Sequence, residues 1–258
     1  DIEASALFKP NALTFDSKVG QRFYNSSSTT VDDLVLNNSS KSGFDVGSVI
    51  NLNKSFTNNC LNLKNSKNIV LLSSTMYINM GNSRGNLAVS GEFTVNPEYG
   101  LTVYGNLILN SGATFTVPKD AKVVVKGSVI SSSAKINVEN GGYMQINDSL
   151  SSSSDVITVS GDMCVKGDAM ISSSTVNAIG LMSFMGDLDV SSGTWNKPNV
   201  SFNGKVPQTV NGSSFNVNDL TVSNKSKTGI KFYSNINCYG KYSNSSLKTI
   251  NENNIIKK

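Results

Sequence analysis

The chain contains no histidine, only three cysteines, two arginines and one tryptophan among its 258 residues. Without histidine, the commonest general base and metal ligand is missing. Cys60, Cys164 and Cys238 stand far apart and form no CxxC or other ligand spacing, so they offer neither a zinc site nor a redox dithiol. Cys238 takes an inward place in Ile236-Asn-Cys238, which predicts a buried thiol, whereas Cys164 has outward parity. Arg22 and Arg84 are the sole arginines, and the planar forks that grip bases and phosphates are arginine chemistry. The net charge of +4 arises from 22 basic and 18 acidic residues. No cationic stripe is interleaved with aromatics, so no nucleic-acid partner is expected, and the lysines read as solubilising residues that guard strand edges. No apolar run is long enough to span a bilayer, and no window holds the 3.6-residue stripe of an amphipathic helix. Asp1-Ile-Glu-Ala-Ser5 lacks the form of a signal peptide, as expected of a processed secreted chain or of an excised domain.

Serine and asparagine fill the space left by these absences, in runs such as Asn25-Ser-Ser-Ser-Thr-Thr30 and Ser151-Ser-Ser-Ser154. Such runs between β-patterned segments are corners, where short polar side chains bond the local backbone. Hydrophobic residues make up 38% of the chain, below the roughly 45–50% of an ordinary globular domain. A narrow core lined by every second residue accounts for the difference.

One phrase recurs seven times between Leu87 and Val206: apolar, any, apolar, any, Gly, any, apolar. Leu101-Thr-Val103-Tyr-Gly105-Asn-Leu107 and Met182-Ser-Phe184-Met-Gly186-Asp-Leu188 are two copies. Period-two apolar spacing is β-strand, and the glycine marks a close approach or bend. The markers Gly91, Gly105, Gly127, Asp148, Gly167, Gly186 and Gly204 advance by 14, then 22, 21, 19, 19 and 18 residues. Steps of that length are those of a β-solenoid coil. The spacing predicts an all-β, single-stranded β-solenoid, a parallel β-helix with roughly triangular coils of about 18–22 residues. Three β-runs per coil are joined by Ser/Asn/Gly corners. Ten to twelve coils at about 4.8 Å each would make a rod of about 50–60 Å.

A longer duplication frames the coils. Leu13-Thr-Phe15-Asp-Ser-Lys-Val19-Gly-Gln21 matches Val200-Ser-Phe202-Asn-Gly-Lys-Val206-Pro-Gln208 at an offset of 187, and Ile50-Asn-Leu52 matches Ile236-Asn-Cys238 at 186. Residues 13–56 thus form a module related to 200–242, with the Gly-centred coils of 87–206 between, and residues 1–258 are expected to build one continuous solenoid. Residues 1–12 and 243–258 look like weak caps, which leaves end-to-end assembly open.

The position after the marker glycine carries Asn106, Ser128, Ser149, Asp168, Asp187 and Lys205 in successive coils. Stacked Asp168 and Asp187, with Asp162 and Asp189 nearby, are the candidate Ca²⁺ site or glycosidase pair, set against a solvated corner with a lysine counter-charge. No other cofactor is expected. Outward positions Thr102, Val124, Gln145, Cys164, Ser183 and Ser201 are too mixed for an ice-binding threonine ladder. Trp195 reads as buried packing rather than a sugar platform, and Tyr99, Tyr104 and Tyr143 are candidates for stacking on glycans.

Phe202-Asn-Gly-Lys-Val-Pro-Gln208-Thr-Val210-Asn-Gly212, followed by Phe215-Asn-Val-Asn-Asp-Leu220-Thr-Val222-Ser-Asn224 and Gly229-Ile230, resembles a repeat of large secreted bacterial surface proteins. The Gly-centred coils are similar to the second element of that repeat. The resemblance implies a secreted or cell-surface, adhesin-like parallel β-helix, and it carries no catalytic residue onto this chain. The expected function is therefore a non-catalytic spacer or adhesin-like rod whose partner is a surface glycan or host matrix. The alternatives are a self-assembling extracellular fibre and a polysaccharide-active enzyme using Asp168 and Asp187.

Overall fold

The computed structural model describes residues 2–4, 10–58, 60, 63–65, 68–71, 77–78, 82–83, 86–89, 92–95, 97 and 100–258. Short parallel strands stack as a β-solenoid of about ten turns. Each coil contributes one strand to each of three faces. The first face is a nine-stranded sheet that includes Leu101–Val103, Asp162–Val165, Asn199–Phe202 and Tyr242–Asn244. The second runs through Leu107–Leu109, Ala169–Ser172, Gln208–Gly212 and Ile230–Phe232. The third runs through Thr114–Val117, Val156–Val159 and Gly193–Trp195, then continues in a separate sheet from Phe215–Val217 to Ile255–Lys257.

Alternation along each strand sets most of what is buried; Ser183 and Ser201, expected to face outward, are buried as well. On the first face Val123, Met144, Met163, Met182 and Val200 stand in one inward column, and Val125, Ile146, Val165, Phe184 and Phe202 in the next. All ten side chains are buried. Burial of each such side chain contributes about 1.5–3 kcal/mol, realised only when the coils above and below are present. At the second-to-third corner, Ser133, Ser154 and Ser173 adopt φ of 54°, 58° and 51°, with Gly112 at 81° a coil earlier. Each serine run thus holds one left-handed residue that turns the chain.

The phrase at Leu87 departs from its expected place. Leu87 pairs with Leu107 and Phe93 with Phe115, so this segment lies on the second and third faces, one face beyond Leu101–Val103. The ladder sorts strands by their inward apolar pairs, and the first interval of 14 residues is too short for a coil. Gly91 and Tyr99 lie outside the described residues.

The duplicated module is visible as chemistry. Near the C-terminus the Asn224 amide donates to Val206 O (2.9 Å) and Gln208 Oε1 (2.7 Å), while Asn224 Oδ1 accepts from Ser226 N (2.8 Å). Near the N-terminus the Asn38 amide donates to Val19 O (2.7 Å) and Gln21 Oε1 (3.1 Å), and Asn38 Oδ1 accepts from Ser40 N (3.0 Å). Both asparagines are fully buried. Each bracket closes a loop where a coil swells at a corner. The two copies enter the stack one face apart: Asn199–Phe202 belongs to the first face, whereas its equivalent Ala12–Phe15 begins the ladder that leads into the third.

Candidate functional site

The residue after the marker glycine ties each coil to the next. Asn106 Oδ1 accepts from Ser128 N (2.9 Å), Asp168 Oδ1 from Asp187 N (2.8 Å) and Asp187 Oδ1 from Thr209 N (2.7 Å). The glycine is needed because the coils touch there. A Cβ on Gly167 would lie 2.5 Å from Asp148 O, and one on Gly186 would lie 2.5 Å from the Gly167 carbonyl. Gly127 donates its N–H to Gly105 O, and Gly204 donates to Gln208 Oε1. Lys205 is not the residue one coil beyond Asp187, as the spacing had suggested. Leu188 pairs with Val210, which places Thr209 there and leaves Lys205 in the swollen loop.

Asp168 and Asp187 do stack, each with one carboxylate oxygen bonded to a backbone N–H. Asp162 Oδ1 accepts from Leu181 N, and Asp189 stands opposite Asn211 on the second face. Among the described residues, no three His, Cys, Asp or Glu side chains form a metal-holding group. The hydrogen-bonding role predicts that D168N/D187N, which keeps both acceptors, unfolds within about 1 kcal/mol of the parent. Thermal unfolding in calcium and in chelator should give one midpoint. A calcium-dependent rise that the double variant loses would restore the cation site.

Trp195 is buried and packs on Phe215, ring centroids 4.6 Å apart, across the break in the third face. Tyr104 is exposed at one end of the first face, while Tyr143 lies half-buried at the other end two coils away, donating to Gln145 Oε1 (3.2 Å). They do not form one stacking platform. Cys60 and Cys238 are buried and Cys164 is half-buried. Burial pushes all three thiols above their ordinary pKa, which keeps them protonated and poorly nucleophilic near neutrality. The third face holds a regular outward column that the repeated phrase does not disclose, because its strands from Thr114–Val117 to Gly193–Trp195 lie outside the Gly-centred segment. Thr94, Thr116, Asn137, Thr158, Asn177 and Asn196 stand in register. Asn196 Nδ2 donates to Asn177 Oδ1 (2.6 Å), so part of the column bonds to itself. The column beside it mixes Glu92, Thr114, Lys135, Val156 and Thr175, which breaks any two-dimensional threonine array.

The bracketed loops gather charge. Loops 203–207, 223–229 and 245–248 leave the first-to-second corner in successive coils and carry Lys205, Lys225, Lys227 and Lys248, all exposed. Lys231 lies on the adjoining second face, its Nζ 4.4 Å from the ring centroid of Tyr233. Residues 197–258 hold nine lysines against Asp219 and Glu252, a net +7, whereas residues 1–196 carry −3. A windowed charge count would have shown this, and the whole-chain value of +4 conceals it. Both acids are engaged by hydrogen bonds: Asp219 Oδ1 accepts from Lys241 N (2.7 Å), and Glu252 accepts from Tyr242 and Asn244. Those bonds hold the Glu252 carboxyl below its usual range, and burial with the same contact raises Tyr242.

Comparison with known protein families, with curated proteins and with solved structures finds no match to this chain. Among the described residues, no helix is long and apolar enough to cross a membrane.

Proposed function

We propose that the chain is a rigid, non-catalytic rod displayed outside a bacterial cell, where it spaces a surface or presents a binding side in the manner of an adhesin. The observation that carries this reading is the contrast between inside and outside. Inward columns such as Val123, Met144 and Met163 stay apolar coil after coil, while their outward neighbours Val124, Gln145 and Cys164 change freely. A fold selected for length and stiffness needs the first and tolerates the second. Asp168 and Asp187, the residues best placed for acid–base chemistry, have ladder bonds to account for them. The resemblance to secreted bacterial surface repeats supports the location.

Negative-stain electron microscopy over a concentration series is the test. Discrete rods of constant length are expected at every concentration. Filaments that lengthen with concentration would replace this reading with the self-assembling fibre. Cleavage of any polysaccharide, abolished in D168N/D187N, would replace it with the enzyme.

A further inference from the structure

The swollen loops of the C-terminal module build a cationic edge along the rod. Lys205, Lys225 and Lys248 sit in the corner loops of three successive coils, which stack at a rise of about 4.8 Å; Lys225 follows Gly204 across one step, Lys248 stands beside Gly229 across the next, and Lys227 widens the row. Loop geometry is held from within. Asn224 binds Val206 O and Gln208 Oε1, Lys225 N donates to Gly204 O (2.8 Å), and Leu247 N donates to Asn224 O (3.1 Å). The ammonium groups are thus displayed on a fixed backbone rather than on floppy loops. Among the described residues, none of these four lysines has an ion-pair partner.

The N-terminal module supplies a contrast within the same chain. It repeats the bracket and keeps Lys18 and Lys41 at the places of Lys205 and Lys227. Yet Asp45 stands where the C-terminal copy has Lys231, and Asp16 where it has Asn203. The scaffold is shared and the charge is not. Charge on the C-terminal copy is therefore a property added to the scaffold, not a requirement of it.

We propose that this lysine edge binds a linear anionic polysaccharide, laid along the rod so that successive acidic sugars meet successive coils. The inference rests on the extracellular-rod reading above and names the class of partner. Charge complementarity identifies the ligand as a polyanion. The absence of arginine from residues 197–258 favours point-charge contacts over the bidentate forks used on phosphates. A single-stranded nucleic acid wants a run of open aromatic platforms, and the exposed rings of Tyr233 and Tyr239 have Lys231 and Lys197 over them.

The test is binding of the chain to polygalacturonate, neutral dextran and single-stranded DNA at two salt concentrations. Polygalacturonate should bind, weaken with salt, and lose about tenfold or more in affinity in K205Q/K225Q/K227Q/K248Q. All four positions are exposed, so the variant should keep the parent's unfolding midpoint. A second quadruple variant, K119Q/K126Q/K135Q/K166Q, removes the same charge elsewhere and should bind as the parent does. Equal loss in both variants, or DNA binding as tight as polygalacturonate, would overturn the proposal in favour of unspecific polyelectrolyte attraction. Binding of neutral or host-matrix glycans that the lysine variant retains would sink this proposal and leave the adhesin reading standing. Absence of any glycan binding would sink this proposal together with glycan adhesion, and leave the rod as a spacer.

Discussion

Replacing Asn224 by alanine should destabilise the chain by about 3–4 kcal/mol, because three buried or half-buried groups lose a partner together. The side chain is fully buried, and its amide satisfies Val206 O, Gln208 Oε1 and Ser226 N at 2.7–2.9 Å. Gln208 in turn holds Gly204 N and donates to Phe184 O and Gly186 O. The pair therefore takes over the backbone bonding of a corner where the strand ladder is interrupted. N224D is the sharper variant. It preserves shape but sets an acceptor against two acceptors, so it should be at least as damaging as alanine. The copy at Asn38 makes the same bonds, but Gln21 is half-buried where Gln208 is 1% exposed. Water can replace part of what is lost there, and N38A should fall nearer 2 kcal/mol. Urea unfolding followed by circular dichroism ranks the three variants. A loss below about 1 kcal/mol for N224A and N224D alike would mean that the bracket is incidental to the fold.

Architecture was legible because the apolar alternation around Leu101, Val123 and Met144 repeats with little noise, and one residue in two is all that a narrow core requires. Phase was not legible. Three faces that each bury two apolar residues per strand are equivalent to a sequence pattern, so Leu87-Ala-Val89 looked like Leu101-Thr-Val103 although it pairs with Leu107–Leu109. The same equivalence hid the displacement of the two modules by one face. The buried amides were not legible for a different reason. Asn38 and Asn224 stand in Ser/Asn-rich stretches where composition says turn, and only the loop closing over them removes them from water. The duplication at offsets of 186 and 187 was the available signal, since Gln21/Asn38 and Gln208/Asn224 both recur within it. The lysine edge needed both kinds of information. Sequence gives the local excess of charge, and register brings Lys205, Lys225 and Lys248 from positions some 20 residues apart to one corner.

Asp155 makes the second large prediction. It is 1% exposed at the second-to-third corner, in a column of small residues where Ala134 precedes it and Ser174 follows. Ala134 N donates to Oδ1 (2.8 Å) and Ser152 Oγ to Oδ2 (2.6 Å), while Asp155 N donates to Ser174 Oγ (3.1 Å). Ser174 Oγ donates onward to Ser172 O (3.0 Å). The carboxyl group is thus the acceptor at the head of a buried hydroxyl chain that crosses three coils. D155A strips a partner from Ala134 N and from Ser152, and should lower stability by about 2–4 kcal/mol. D155N separates the two properties of the group. Its amide oxygen can accept from Ala134 N, its NH₂ can donate to Ser152 Oγ, and Ser152 can then donate to Ser174, 3.1 Å away. Ala134 N, Ser152 and Ser174 each keep a partner, so D155N should unfold within about 1 kcal/mol of the parent. Ser131 gives the opposite case. Its Oγ sits one coil before Ser152, buried and without a hydrogen-bond partner, so S131A removes a polar atom that makes no bond and should be neutral or slightly stabilising. The three variants together test whether interior polarity is tolerated only where it is fully bonded. If D155N fell as far as D155A, the hydroxyl chain would not be what holds this corner, and the carboxylate itself would have to be.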